Sequence, residues 1–242
     1  MKKVTIIGGA GTVGDILLKQ LHEDYDLLVL DKSIKQNTAT HCYVDATDMQ
    51  SLTEAIPEDT DVLINLLRIE TSQAIEPTEV FNQMTDVFFK ASYYMMFIAD
   101  MYKIPKVIFA SSNHVTDYYE ENGYSKLGRE ITTQDYPAPK GLYGVLKIAS
   151  EQAGFIFSLH TDLSILNIRI GSVPNENELV AMKKTDRLSR TLLSKNDLGK
   201  LFSAAIESTI KFGTYYGVSN NTDKPWDLSN TIKELGFSPE RK

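Results

Sequence analysis

Residues 4–14 read VTIIGGAGTVG, a short run of β-branched residues followed at once by a glycine-rich turn. Valine, isoleucine and threonine favour extended backbone, and an uninterrupted run of them is typical of a strand buried on both faces. After the turn, apolar side chains recur at helical spacing, at Val13, Ile16, Leu17 and Leu21. A strand, a glycine turn and a helix in this order predict the start of a βαβ unit.

Strand-like and helix-like patterns continue to alternate beyond this first unit. Apolar runs at 27–30, 41–44, 62–67, 106–110 and 163–170 are interspersed with helical patterns at 51–56, 78–102 and 141–160. Such alternation favours parallel strands joined by helices. The predicted fold is therefore α/β, a Rossmann-type doubly wound parallel sheet. We expect residues 1–171 to form the nucleotide-binding core, and residues 172–242 a small C-terminal substrate lobe that returns core elements to the same structural domain.

The turn after the first strand has the chemistry of a phosphate-binding loop. The turn contains Gly8, Gly11 and Gly14. Glycines at these positions allow a tight turn, a close approach of the backbone to a diphosphate, and close packing of the helix on the strand. Thr12 and Val13 begin the helix, whose free amide groups and positive dipole end attract an anion. These five residues are therefore predicted to bind a dinucleotide.

Acidic residues end the second and third predicted strands. Asp31 lies 20 residues after Gly11, the spacing typical of a carboxylate that binds the adenosine ribose. Its charge would repel a 2′-phosphate, so NAD is favoured over NADP as the cofactor. Asp45 is a candidate for a hydrogen bond with the adenine amino group.

Tyr143 and Lys147 lie four residues apart on the long helix that precedes the last core strand, so they share a helix face. A lysine cation near a phenol favours the phenolate and lowers its pKa from about 10, which suits proton transfer with a substrate hydroxyl. Ser112 follows the fifth strand, at the sheet edge where ligands bind. We predict that these three residues are catalytic, that Lys147 also contacts the cofactor, and that Asn113 and His114 shape a sugar site.

The composition limits the class of ligand. The chain has 242 residues, a formal net charge of −7 and a single cysteine. A negative surface disfavours nucleic acid and anionic membranes, but one local arginine outweighs a field that is screened over about 10 Å. The lone cysteine suits a reducing compartment, no apolar run reaches the ~20 residues of a membrane helix, and no signal peptide is evident. We expect a cytoplasmic protein with a small-molecule sugar substrate and no metal site.

Four stretches, FASSNH at 109–114, GLYGVLK at 141–147, NIRIGS at 167–172 and YGVSNN at 216–221, resemble a known family. It is the extended short-chain dehydrogenase/reductase family of NAD-dependent epimerases and dehydratases, and the uronate dehydrogenases within it are the most similar. The resemblance implies oxidation of the anomeric carbon of a uronic acid with NAD, giving an aldarolactone, with Tyr143 as the general base. An archaeal NAD-dependent glucose-6-phosphate dehydrogenase resembles the same group, which leaves the sugar open.

The resemblance also implies an arginine that grips the substrate carboxylate through a two-pronged hydrogen bond. Arg187 is the best match for it, with Arg190 as a substitute. The chain departs from the family pattern in three places. Bulky residues at 66–68 follow the fourth strand, where the family has small ones. Residues 69–71 replace a substrate serine, and Phe88 stands where the family has asparagine.

The predicted helix 78–102 is apolar nearly all round. About half of its apolar residues are expected in the core. The remainder predict a homodimer, because in this family two long helices of each subunit often pair.

Three functions are consistent with these observations. The first is an NAD-dependent dehydrogenase acting on C1 of a sugar acid or a related sugar. The second is a sugar-nucleotide epimerase or dehydratase, which the short C-terminal segment disfavours. The third is a catalytically impaired NAD-binding sensor, which the departures at Leu66, Leu67 and Phe88 suggest and which the retained Tyr143 and Lys147 oppose.

Overall fold

A computed structural model of the chain describes residues 1–175 and 186–240, so residues 176–185 of the predicted C-terminal lobe lie outside the described part. Nine strands are present in the described residues: β1 (Lys2–Ile7), β2 (Tyr25–Asp31), β3 (His41–Tyr43), β4 (Val62–Asn65), β5 (Lys106–Ser112), β6 (Glu120–Glu121), β7 (Tyr124–Ser125), β8 (Ser164–Ile170) and β9 (Phe212–Gly217). Strands β6 and β7 form a small hairpin, and the other seven form one parallel sheet in the order β3-β2-β1-β4-β5-β8-β9.

The helices of the described residues lie between these strands. They are α1 (Thr12–Leu21), α2 (Met49–Ala55), α3 (Thr78–Met84), α4 (Ala91–Tyr102), α5 (Leu142–His160), α6 (Asp186–Thr191), α7 (Lys195–Glu207) and α8 (Ser229–Leu235). A 3₁₀ segment (Asn113–Tyr119) follows β5. None of the helices in the described ranges is long and apolar enough to cross a membrane.

The sheet separates two hydrophobic cores. On one face α1 and α7 pack together, with Leu17 and Phe202 fully buried. On the other face α2 and α4 contribute Leu52 and Met95, and Phe157 of α5 packs against the same core. Helices on both faces of an all-parallel sheet confirm the predicted doubly wound α/β fold.

The strand order reverses between β1 and β4. The chain winds from β1 outward to β3, then crosses back to β4 and continues to β9 on the other side. The carboxyl ends of β1 and β4 are in register, with Ile7 opposite Asn65. Ligands of open α/β sheets bind in the crevice at such a reversal point, and the glycine turn begins there.

The C-terminal segment completes the core. Strand β9 extends the sheet beside β8, and α7 covers α1, with Leu198 and Leu201 in the same core as Leu17. The chain after residue 171 therefore adds a strand and a core helix to the same sheet.

One predicted helix is interrupted. The pattern at 78–102 predicts a continuous α-helix, whereas residues 85–90 between α3 and α4 form π-helical turns. The Phe88 carbonyl in this segment accepts hydrogen bonds from the Ser92 hydroxyl (2.5 Å) and from the Ser150 hydroxyl of α5 (2.7 Å). The bond from Ser150 ties the wider turns to α5, the helix that carries Tyr143. π-helical turns are frequent at functional sites.

Candidate active site

Two of the three loop glycines are required by the packing of the protein itself. Gly8 has φ of +78°, and a Cβ atom there would lie 2.8 Å from the Leu67 backbone nitrogen. A Cβ atom on Gly14 would lie 1.9 Å from the Gly9 carbonyl oxygen. Side chains at these positions would push β1 away from β4, or α1 away from its turn.

Gly11 differs from both, because a Cβ atom there would meet no protein atom within 4 Å. Gly11 is the N-cap of α1, and no side chain caps the amides of the first helical turn. Open space in front of uncapped helix amides fits a diphosphate group. The cavity at this point measures about 510 Å³, and its walls include Thr12 and Val13.

Asp31 and Asp45 line the same cavity. Asp31 accepts hydrogen bonds from the Ala10 amide (3.2 Å) and the Ser33 amide (2.8 Å), which fix its carboxylate at the end of β2. The Thr47 hydroxyl and amide hold Asp45 and lower its carboxyl pKa. The lowered pKa keeps Asp45 ionised at neutral pH. Both carboxylates line the cavity of the glycine loop, an arrangement that fits the adenosine of NAD.

A second cavity, of about 570 Å³, lies beside the first and contains the predicted catalytic residues. Ser112 ends β5, while Tyr143 and Lys147 occupy the first two turns of α5. All three line this cavity, and Asn113 and His114 line it with them. The two cavities share walls formed by Val13, Leu66, Leu67, Arg68, Ile69 and Val173. The fold thus brings the glycine loop and the tyrosine–lysine pair to one continuous cleft.

The environment of Tyr143 differs from the sequence expectation. Burial raises the pKa of its phenol, opposed by a hydrogen bond with Ser112 and by the charge of Arg68. The ring packs edge-on against Phe88 (5.2 Å between centroids) and His114 (5.7 Å). The expected lowering of this pKa by Lys147 is therefore wrong, because desolvation outweighs the hydrogen bond with Ser112 and the charge of Arg68.

Lys147 is buried, and burial lowers its pKa to about 8, opposed by the charge of Glu151. Its ammonium donates a hydrogen bond to the Ala110 carbonyl (2.9 Å) and lies 5.0 Å from the centroid of the Phe88 ring. Lys147 is thus held between β5 and the π-helical segment, one helical turn beyond Tyr143.

A buried ion pair fixes α5 against the sheet. Glu151 of α5 binds Arg169 of β8 through two hydrogen bonds, of 2.7 and 3.0 Å. The Ser111 hydroxyl donates a third bond to Glu151 (2.5 Å). Arg169 also donates to the Tyr216 hydroxyl at 3.4 Å. Because Glu151 lies one turn after Lys147, this network sets the position of α5 beside the second cavity.

The predicted sugar-site residues are anchored in different ways. His114 pairs through Nδ1 with the carboxylate of Asp117 (2.8 Å), and Asp117 also accepts a hydrogen bond from the Lys140 amide (2.6 Å). Asn113 is buried at the base of the cavity. His114 is therefore oriented by a carboxylate, a partner that sequence reasoning did not identify.

Arg187 does not reach this cavity. Its guanidinium binds the buried carboxylate of Glu120 through Nη2 (2.7 Å) and Nε (3.1 Å), and it is not among the residues that line the cavity. Burial alone would raise the pKa of Glu120, but Arg187 and the Gly123 amide hold it below the usual value. Arg190 stacks on the Tyr124 ring at 3.8 Å. The geometry therefore does not support the predicted role of Arg187, since its fork is already paired.

Arg68 lines both cavities, although from the sequence it is identified only as a bulky departure from the family pattern. The signal that could have found it is its place directly after β4, at the carboxyl edge of the sheet. Lys140 and residues 71–74 complete the wall of the second cavity. They belong to loops that have no local pattern of their own.

These features together define a dinucleotide-dependent enzyme of the short-chain dehydrogenase type. They are the doubly wound sheet, the glycine turn with its exposed helix N-terminus, and the serine, tyrosine and lysine in the adjoining cleft. Residues 4–201 match the family described as "NAD dependent epimerase/dehydratase family". The chain belongs to this family, which confirms the predicted family, enzyme class and NAD cofactor.

Individual relatives cover nearly the whole chain. Uncharacterized protein YtbQ of Bacillus subtilis is 48% identical over 240 residues, 99% of this chain and 94% of that protein. An NAD-dependent glucose-6-phosphate dehydrogenase of Haloferax volcanii is 28% identical, with 98% of this chain and 92% of that protein covered. A crystal structure of a glucuronic acid dehydrogenase from Chromohalobacter salexigens superposes with a TM-score of 0.80 at 26% identity, covering 99% of this chain and 85% of that one.

Proposed function

We propose that this protein is an NAD-dependent dehydrogenase that oxidises C1 of an anionic sugar, with Tyr143 as the general base. The observation that carries the proposal is the continuous cleft, in which the glycine-loop cavity shares walls with the cavity of Ser112, Tyr143 and Lys147. A cofactor laid along the loop would extend toward the phenol. Relatives named as glucose-6-phosphate and glucuronic acid dehydrogenases support a sugar as the substrate.

In this mechanism Ser112 and Tyr143 hold the C1 hydroxyl of the cyclic sugar, and Tyr143 takes its proton. NAD, when bound, is the acceptor of the hydride that leaves C1, so the product is a lactone. The hydrogen bond with Ser112 and the positive charge of Arg68 favour the phenolate and partly oppose the effect of burial on Tyr143. The apolar ring of Phe88 excludes water from the lysine side of the pair.

The charges around the second cavity favour an anionic substrate. Arg68, Lys140 and Lys147 line it, and the sole acidic residue in its described lining, Asp117, is bound to His114. The chain as a whole carries a net charge of −7. A cationic cleft in an acidic protein concentrates anions locally, because low-dielectric walls focus the field of the lining charges.

The test is formation of NADH, followed by absorbance, with D-glucuronate, D-glucose 6-phosphate and D-glucose. We expect turnover of at least one anionic sugar, and a loss of about 100-fold or more in Tyr143→Phe, which removes one hydroxyl and keeps the ring. NAD binding by calorimetry should be similar in both proteins. Turnover by Tyr143→Phe at the wild-type rate would refute the assigned base, and the absence of any turnover would refute the dehydrogenase.

We also propose that the protein is a homodimer that pairs through α4 and α5. Four aromatic or apolar side chains spaced four residues apart are 37–47% exposed along α4 and the preceding turn, namely Phe89, Tyr93, Phe97 and Met101. The Tyr93 ring contacts the ring of Phe157 on α5 (5.6 Å), and Phe155, Ile156 and Leu159 of that helix are also exposed. Such a stripe fits a second copy of the same helices, because a two-fold axis buries equivalent faces against each other.

A further inference from the structure

Arg68 is a cation at the junction of the two cavities. It lines the glycine-loop cavity and the catalytic cavity alike, and its side chain is exposed to them. Within residues 1–175 and 186–240, no carboxylate forms an ion pair with it. The neighbouring Glu70 lines only the glycine-loop cavity. A guanidinium left without an anion beside a reaction centre is suited to bind one supplied by a ligand.

The backbone that carries Arg68 is fixed. The Leu67 amide donates a hydrogen bond to Asn65 Oδ1 (2.9 Å), and the Asn65 amide group donates to the Ser92 hydroxyl (3.0 Å). The Leu66 amide continues the ladder to the Ile7 carbonyl (2.8 Å). The two residues before Arg68 are therefore held to the sheet edge, which reduces the backbone entropy lost when Arg68 binds an anion.

The charge of Arg68 also reaches the reacting groups. It opposes the burial that raises the pKa of Tyr143, and it adds to the burial that lowers the pKa of Lys147. Arg68 lines the same cavity as Tyr143 and Lys147, so an anion that it binds would lie in the cavity that contains the proposed reacting groups. Arg187, the arginine that the family resemblance suggests, is paired with Glu120 instead.

We propose that Arg68 binds the carboxylate or phosphate of the sugar substrate and so selects anionic sugars over neutral ones. This inference rests on the proposed function for its substrate class. It assigns to the segment after β4 the anion-binding role that the sequence resemblance gives to the segment around Arg187. A sugar acid and a sugar phosphate share the chemistry that a guanidinium recognises, namely two or three oxygens that accept parallel hydrogen bonds.

The test uses Arg68→Gln, with Arg187→Lys as the matched control that keeps a cation opposite Glu120. Binding of D-glucuronate, D-glucose 6-phosphate and D-glucose is measured by calorimetry on protein saturated with NADH, and binding of NAD is measured separately. We expect at least one of the two anionic sugars to bind more tightly than D-glucose. Arg68→Gln should weaken that binding about 10- to 100-fold, the usual effect of losing a charge-assisted hydrogen bond. The affinity of Arg68→Gln for NAD, and the affinity of Arg187→Lys for the anionic sugars, should stay close to the wild-type values.

Other results would overturn the inference. Loss of NAD affinity equal to the loss of sugar affinity would assign Arg68 to the diphosphate of the cofactor. Weaker binding of the anionic sugars to Arg187→Lys, with unchanged binding to Arg68→Gln, would assign the anion to Arg187. Binding of D-glucose to the wild type as tightly as both anionic sugars would show that no anion site is present. The proposed dehydrogenase is tested separately: Arg68-dependent anion binding without NADH formation would refute the activity and leave the anion site intact.

Discussion

Replacement of Lys147 by methionine should stabilise the protein and abolish its activity. The side chain is buried, and its pKa of about 8 lies below the ordinary lysine value of 10.5. A difference of 2.5 pKa units means that the charged lysine destabilises the folded state by about 3 kcal/mol at pH 7. Methionine keeps the apolar stem beside Phe88 and removes the charge. Loss of the hydrogen bond to the Ala110 carbonyl destabilises the variant by about 1 kcal/mol. The free energy of unfolding of Lys147→Met should therefore be about 2 kcal/mol higher than that of the wild type at pH 7.

The pH dependence of this difference gives the sharper measurement. Because the folded pKa lies below the unfolded one, the unfolded chain binds more protons between about pH 8 and 10.5, and the wild type gains stability as pH rises through that window. At pH 9 the cost of Lys147 has fallen to about 2 kcal/mol, so the advantage of Lys147→Met should shrink by about 1 kcal/mol between pH 7 and pH 9. Urea unfolding followed by the fluorescence of the buried Trp226 measures both proteins.

Tyr143→Phe is the matched control for this experiment. Its phenol has a pKa above the ordinary value of 10, so it does not titrate between pH 7 and pH 9 and its removal should give a stability difference that is independent of pH in that range. Both variants should lower NADH formation by about 100-fold or more. A stability difference between wild type and Lys147→Met that stays constant from pH 7 to pH 9 would show that Lys147 titrates normally, and the reasoning would be wrong.

Three further predictions concern the cofactor loop, the buried ion pair and the dimer. Gly11→Ala should keep the wild-type melting temperature and weaken NAD binding in calorimetry, because its Cβ would meet only a ligand. Gly14→Ala should have a lower melting temperature, because its Cβ would overlap the backbone of its own turn. Equal melting temperatures of the two variants would contradict this. Glu151→Gln should lose about 3–5 kcal/mol, since the charge of Arg169 stays buried without its counter-ion, and an unchanged urea midpoint would argue against the ion pair. Phe97→Glu should convert a dimer to a monomer in sedimentation velocity, and the proposed interface fails if the wild type sediments only as a monomer at micromolar concentration.

The fold was predictable because its signals are local. Strands such as β1 and β5 are continuous apolar runs, and the glycine turn marks where the first helix begins. The candidate site was predictable where a residue type and a spacing coincide, as in Tyr143 and Lys147 on one helix face. Both signals are contained within a few consecutive residues.

What the sequence did not reveal depends on partners distant in the chain. The π-helical turns involve a hydrogen bond between Phe88 and Ser150, 62 residues apart, and no periodicity marks that pair. The pairing of Arg187 with Glu120, 67 residues away, is another contact that no local pattern indicates. Likewise the raised pKa of Tyr143 reflects desolvation by rings from other elements, a quantity that the four-residue spacing of tyrosine and lysine does not contain.

The cost of Lys147 bears on whether the protein is an enzyme or a sensor. A buried ammonium with one carbonyl partner, set against the apolar face of Phe88, destabilises the fold by an amount comparable to a sizeable part of a domain's net stability. The glycine-turn amides and Asp31 would hold the diphosphate and adenosine of a dinucleotide, so the predicted contact of Lys147 concerns only the end of the cofactor beside Tyr143. A chain that only binds the cofactor would be more stable with an apolar residue in that place. Retention of the charge therefore favours proton transfer at Tyr143, since features that reduce stability without a structural benefit are expected at functional sites.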